Sequence, residues 1–248
     1  MSRLALTTLA FLTILPAIAL ADYPITPEQI LDNMENTING FEDQYMEVTI
    51  AIHGSDGKTK SYDLTIWQKG DTKRLVFFTS GELKGMATLV EDPNNVHVYL
   101  PGFKKIRRVA AHNMDQSIVG SDLSNEDFAN ASWKIGYTAK LDHEDADSYY
   151  LLLAPNKPDE VSYSKVIMKV GKKSFFQNGI DYYNSKGEFV KKMVAGEPRD
   201  FHGVWRNTKV TFSDPRSSHS TDLIINDFKI NQGLKEDMFT IRQLQIGK

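Results

Sequence analysis

Residues Thr79–Phe128 read TSGELKGMATLVEDPNNVHVYLPGFKKIRRVAAHNMDQSIVGSDLSNEDF. Two short alternating runs, Met86–Glu91 and Val96–Leu100, flank the turn formers Asp92-Pro93-Asn94-Asn95, the pattern of a strand, a turn and a strand. Pro101-Gly102 breaks the ladder. Four cations then fall within five residues, Lys104, Lys105, Arg107 and Arg108, with Ile106 and Val109 among them. After Ser117-Ile118-Val119-Gly120-Ser121-Asp122 comes Ser124-Asn125-Glu126-Asp127, a helix start with Ser124 as N-cap, so a short helical insertion is expected near Asp122–Ala129.

The same period of two runs outward on both sides. Before the stretch, Met46, Val48, Ile50 and Ile52 alternate with polar neighbours, then Tyr62, Leu64 and Ile66. Leu75-Val76-Phe77-Phe78 is apolar on both faces and should be covered on both. After it, Trp133, Ile135, Tyr137, Ala139 and Leu141 alternate, followed by Ser148–Ala154, Lys165–Val170, the pair Gly179–Asn184 and Glu188–Val194 around Ser185-Lys186-Gly187, then Val204–Ser213 and Thr221–Ile230. Leu234–Phe239 reads as a helical turn before a last strand, Thr240–Gln245. The one well-marked helix precedes all of this: Thr26 as N-cap, Pro27 at the first helical position, Gln29 closing a capping box, then Ile30, Leu31, Met34 and Ile38 up to Asn39-Gly40.

The expected architecture is mainly β with a minor α component: one curved antiparallel sheet of about 10–11 strands, neighbours paired in sequence order, forming an open half-barrel with helices over its mouth. No repeat or linker divides residues 22–248, which read as one domain. The strands carry many long apolar residues on their inward faces, and there is little helix to fill the hollow. A cavity suited to small or lipidic ligands is expected there.

Residues 1–21 carry Arg3, an apolar stretch from Leu4 to Leu20 interrupted by Pro16, and the small-x-small sequence Ala19-Leu20-Ala21. They read as a secretory signal peptide cleaved after Ala21. Cleavage takes the 29 basic residues to 28 against 32 acidic ones, so the balance carries no nucleic-acid signature. There is no cysteine. An exported chain without disulfides or a lipid-modified N-terminal cysteine is expected in the periplasm.

Catalytic signatures are missing. The six histidines show no metal-ligand spacing, Gly120-Ser121-Asp122 lacks the second glycine of a nucleophile elbow, and no glycine-rich phosphate loop occurs. Neither a metal, a cofactor nor an enzymatic activity is expected. The basic run Lys104, Lys105, Arg107 and Arg108 reads as a charged sheet edge, as a contact for anionic headgroups, or as a docking site for an acidic partner.

Leu83-Lys84-Gly85, Val98-Tyr99-Leu100-Pro101, the basic run, Ser117, Gly120-Ser121-Asp122 and Glu126-Asp127 together resemble the signature of the outer membrane lipoprotein-sorting protein family, within the LolA/LolB-like superfamily of periplasmic lipid carriers. The ordered match covers about 45 residues. The resemblance implies an open half-barrel with a helical lid and an interior that takes acyl chains, a carrier moving lipids or lipoproteins between inner and outer membranes, and association with an RND-type (MMPL-like) exporter. Tyr99, Pro101, Gly120, Ser121 and Asp122 would be structural members of the motif.

Thirteen apolar positions are the candidates for acyl contact: Met46, Val48, Ile50, Ile52, Leu64, Ile66, Leu75, Phe77, Val98, Leu100, Tyr137, Leu151 and Leu153. Membrane contact is expected to be transient and the protein monomeric. Two other readings remain open: an exporter subunit that binds no lipid durably, and a lipid-modifying enzyme using Ser121 or Asp122.

Overall fold

The computed structural model describes residues 24–246. The expected signal peptide therefore lies outside the described residues. Helix α1 (Pro27–Asn39) begins as its sequence directs: the Thr26 hydroxyl accepts from the Gln29 backbone N–H, and the Gln29 side chain accepts from the Thr26 N–H at 2.9 Å. Ile30, Leu31 and Met34 form its buried stripe.

Thirteen strands make one sheet, more than the 10–11 expected. They are β1 (Asp43–His53), β2 (Thr59–Lys69), β3 (Lys73–Phe78), β4 (Ala87–Asp92), β5 (Asn95–Leu100), β6 (Lys105–Arg108), β7 (Tyr137–Glu144), β8 (Ser148–Pro155), β9 (Tyr163–Gly171), β10 (Gln177–Asn184), β11 (Phe189–Phe201), β12 (Val204–Ser213) and β13 (Ser220–Ile230). The order is β6-β5-β4-β3-β2-β1-β13-β12-β11-β10-β9-β8-β7, and every neighbouring pair is antiparallel. Two meanders, β1–β6 and β7–β13, are thus joined side by side through β1 and β13. The sheet is curved and unclosed, with β6 and β7 as its two edges.

That topology explains the weight of Thr79–Phe128. The chain leaves the sheet at one edge, β6, and re-enters at the other, β7. The segment between must cross the concave face, and it carries helix α2 (Asn125–Ala129) and helix α3 (Trp133–Gly136). Ile118, Leu123 and Phe128 from this crossing join α1 and the inward faces of β1, β2, β7, β8, β9, β10, β11 and β12 in one core.

The sheet has a second, smaller core on its other face. Leu75, Phe77, Ala87 and Leu89 pack there against Met238, Phe239 and Leu244. The last two elements, a 3₁₀ turn (Glu236–Met238) and helix α4 (Ile241–Ile246), supply this cover. The strand expected over Thr240–Gln245 is therefore a helix. Helical spacing turns Leu244 inward onto the outer face of β4 and β5, where it is buried in the second core. Residues 133–136 are likewise a helical turn rather than the start of a strand. The carboxylate of buried Glu35 accepts from the Trp133 N–H at 2.5 Å, a negative group at a helix start that a strand could not use in this way. The strand begins only at Tyr137.

Candidate functional site

A cavity of about 240 Å³ lies between the concave face and the crossing segment. Its apolar wall comes from Ile66, Ile180, Met193, Val210, Phe212 and Leu223 on the sheet, with Leu123 and Phe128 above. Aromatic rings line one side: Trp133 sits 5.1 Å from Tyr137 and 6.3 Å from Tyr182 between ring centroids, and Tyr163 is 4.8 Å from Tyr182. Larger surface concavities exist, but the one bounded by Tyr150, Lys169, Lys172 and Lys192 opens on the outer face of β8–β11 and is half polar.

The thirteen candidate acyl contacts divide three ways. Met46, Val48, Ile50, Ile52, Leu64, Tyr137, Leu151 and Leu153 are buried in the main core, and Ile66 packs against it. Leu75 and Phe77 face the opposite way, into the second core under α4. The register decides this: Leu64 pairs with Phe78 and Ile66 with Val76, so Val76 and Phe78 share the inward face. Val98 and Leu100 are half-buried near the β6 edge. Only Ile66 and Tyr137 of the thirteen line the cavity itself. The β10–β13 residues that form most of its wall were visible as alternating runs, but nothing in their spacing ranked them above the rest.

A polar network, unmarked in the sequence, fastens the crossing segment to the walls. Lys191 of β11 is buried and bonds to both the Asp127 carboxylate and the Tyr163 hydroxyl. Its ammonium also lies over the Tyr182 ring, 4.5 Å from the centroid. Asp127 caps its own helix, accepting from the Ser124 N–H at 2.7 Å, while the Ser124 hydroxyl accepts from the Asp127 N–H. Burial, with Asp127 and Tyr182 next, pushes the Tyr163 hydroxyl far above the ordinary tyrosine range. Neighbouring Glu126 accepts from the Ser162 N–H at 3.0 Å, and burial raises its carboxyl above the usual range.

On the other wall, Arg74 of β3 donates to the Phe128 carbonyl at 2.8 Å and twice to Gln68 Oε1. Gln68 donates to Asn39 Oδ1 at 2.8 Å, and Asn39 donates to Glu35 at 2.8 Å and to the Ala131 carbonyl at 2.7 Å. Burial raises the Glu35 carboxyl and pulls the Arg74 guanidinium down to about 10.

The motif residues have local jobs. Gly120 sits at φ +79°, a left-handed position that suits glycine. Ser121 is buried and its hydroxyl donates to the Ile118 carbonyl at 2.7 Å. Asp122 accepts from Thr221 at 2.7 Å and stands 2.8 Å from His219 Nδ1, which pins the 117–124 loop to β13. Tyr99 packs against the second core, and Pro101 opens the 3₁₀ turn that leads into β6. Lys104, Lys105, Arg107 and Arg108 are all exposed at or on the edge strand, beside Phe103, which is 71% exposed. The clusters of acids and histidines able to hold a metal ion are absent among the described residues.

A family model described as uncharacterized-protein-like matches residues 70–246. No curated protein matches the chain. Among solved structures, a DUF1329 family protein from Desulfovibrio piger is 24% identical, with a TM-score of 0.79, covering 89% of this chain and 99% of its own. A putative outer membrane lipoprotein-sorting protein domain from Vibrio parahaemolyticus is 20% identical, with a TM-score of 0.77 over 89% and 98%. A LolA superfamily protein from Nitrosomonas europaea is 21% identical, with a TM-score of 0.76 over 88% and 99%. The chain belongs to the family that this model describes, and its fold is that of the LolA superfamily and its lipoprotein-sorting relatives.

Proposed function

We propose that the protein is a periplasmic carrier that shelters acyl chains of lipids or lipoproteins beneath its crossing segment and moves them between the inner and outer membranes. The observation that carries this reading is the cavity: a mainly apolar and aromatic pocket, with Arg74, Glu126, Asp127, Asn130 and Gln177 at its polar side, between the sheet and the short helices of the crossing segment. About 0.8 kcal/mol per sheltered methylene is enough for one chain to supply most of the affinity.

A cavity of about 240 Å³ is small for a diacylated ligand. Loading therefore moves the crossing segment away from the sheet, and the Lys191–Asp127 and Arg74–Phe128 contacts are what must open. The fold of the LolA-superfamily neighbours supports the reading; the chemistry of the interior supports it independently.

The exposed basic edge is the contact surface in this account, either for anionic headgroups during a transient visit to the membrane or for an inner-membrane RND-type exporter. Reversing Arg107 and Arg108 to Glu should abolish that association and leave lipid loading intact. The protein acts as a monomer with no cofactor and no catalytic step of its own, after removal of its first 21 residues.

The test is to purify the protein from its native envelope and identify copurifying lipid by mass spectrometry. Roughly stoichiometric acylated material is expected. A preparation free of lipid, whose delipidated form also fails to bind a fluorescent fatty acid, contradicts the proposal.

A further inference from the structure

A second chamber, of about 140 Å³, adjoins the main cavity. Gln177 and Val210 line both. The strand register shows how the two meet. Ala195 pairs with Val210, and Val210 pairs with Leu223, so the three form one row across β11, β12 and β13. Leu223 and Val210 belong to the main cavity, Val210 and Ala195 to the second chamber. Beyond that row the second chamber is walled by Ile38 at the end of α1, by Phe176 and by Ile225 of β13. Trp205 of β12, 56% exposed, stands at its solvent side.

The two spaces differ in polarity. Arg74, Glu126, Asp127 and Asn130 line the main cavity next to the crossing segment, and none of them reaches the second chamber. The polar groups that do line the second chamber are spent on protein partners. The Thr37 hydroxyl donates to the Met34 carbonyl at 2.8 Å, Arg206 donates to the Ile38 carbonyl at 3.1 Å and lies over the Phe228 ring, and the Asn207 amide donates to the Gln177 carbonyl at 3.3 Å. The surface left to a ligand there is hydrocarbon, which suits the tail of a lipid and not its head.

The partition between the two spaces is weakly held. A glutamine amide has two donor hydrogens and an acceptor oxygen to satisfy. Among the described residues the Gln177 side chain makes one hydrogen bond, a long one of 3.7 Å to the thioether of Met168. A thioether is a weak acceptor, so little is lost when the amide swings aside.

We infer that the two chambers take one continuous acyl chain, with its head end by the crossing segment and its methyl end against Ala195, Ile225 and Trp205, and that these three residues set the chain length the protein accepts. Gln177 is the partition that moves aside. This rests on the carrier reading and adds to it a ligand class: long acyl chains are held in preference to short ones, up to the length that reaches Trp205.

The test titrates delipidated protein with saturated fatty acids of about 8 to 16 carbons, each methylene that gains shelter adding about fourfold in affinity. Affinity should climb with length in the wild type. Ala195→Phe, which fills the second chamber, should leave the shortest acids binding as before and weaken the longest by at least about tenfold. Ile225→Phe does the same from the neighbouring wall and serves if the first variant does not fold. A long fatty acid brominated at its methyl end should quench Trp205 fluorescence, read as the difference from Trp205→Phe, and one brominated beside the carboxylate should not.

Affinity that does not climb with length in the wild type overturns the inference and leaves the carrier reading in place. So do substitutions that weaken every length equally or none, and a methyl-end bromine that fails to quench Trp205. Failure of every fatty acid to bind the wild type removes the carrier reading too.

Discussion

Lys191, Asp127 and Tyr163 show how much depends on single side chains in this fold. The ion pair is almost fully buried, with side chains 9% and 7% exposed. Removing one partner leaves the other charge stranded, so Lys191→Met or Asp127→Asn should destabilise the protein by roughly 3–5 kcal/mol in urea unfolding. An apolar replacement of both at once should recover much of that loss, because burial of the charges offsets most of what the pair contributes.

Glu35 and Glu126 make the opposite case. Burial raises both carboxyls above the ordinary glutamate value of 4.5. A raised acid binds its proton more tightly in the folded state, so it contributes stability below the unfolded pKa. That stability is lost as pH rises through the folded pKa. Relative to the wild type, Glu126→Gln should therefore gain stability as pH is raised from about 4 towards neutrality, measured by denaturant midpoints across that range. A constant difference across those pH values would contradict the assignment.

Among the elements, the strands were legible and the outermost coverings were not. β12 is at Val204–Ser213, as its alternation predicts, and α1 ends at Asn39 ahead of Gly40. Both are set by local chemistry, namely side-chain period and capping. α4 departs from the strand expected there because Ile241, Leu244 and Ile246 fit a strand and a helix about equally over so short a run. Its identity depends on the exposed apolar face of β4 and β5 that it covers, a tertiary cause. Leu75 and Phe77 turn away from the concave face expected of them for a related reason: a strand buried on both sides has no polar residues to mark its orientation.

Two predictions belong to this level. Leu244→Ala, at a side chain only 1% exposed, should cost roughly 2–5 kcal/mol in unfolding free energy if α4 is an integral cover. Thr26→Ala, which removes only the cap of α1, should cost about 1 kcal/mol. A smaller loss at Leu244 than at Thr26 would mean that α4 contributes little to the fold.

At the level of the molecule, the pairing of β1 with β13 turns two meanders into one sheet with two distant edges. No local pattern announces that pairing, since its partners are nearly the full chain apart. It follows from both strands being apolar on one face and having no other free neighbour. Once it exists, the connection between β6 and β7 has to span the concave face, and the last residues of the stretch that resembled a lipoprotein-sorting signature, Glu126 and Asp127, join the roof of a cavity. The basic edge, the turn at Gly120 and the helix at Asn125 follow one another in sequence because the chain is on its way across. The interior network escaped sequence reading because Arg74, Gln68, Asn39 and Glu35 come from three separate elements and share no spacing.

The central claim is that ligand lies inside, between the crossing segment and β10–β13. It is tested most directly by titrating delipidated protein with a fluorescent fatty acid and comparing Val210→Trp, which fills the cavity wall, with Lys169→Trp on the outer face. The account predicts saturable binding that Val210→Trp weakens by at least about tenfold, the equivalent of 1.4 kcal/mol, while Lys169→Trp leaves it unchanged. Binding that is indifferent to Val210→Trp, or lost equally in both variants with the fold intact, would contradict it.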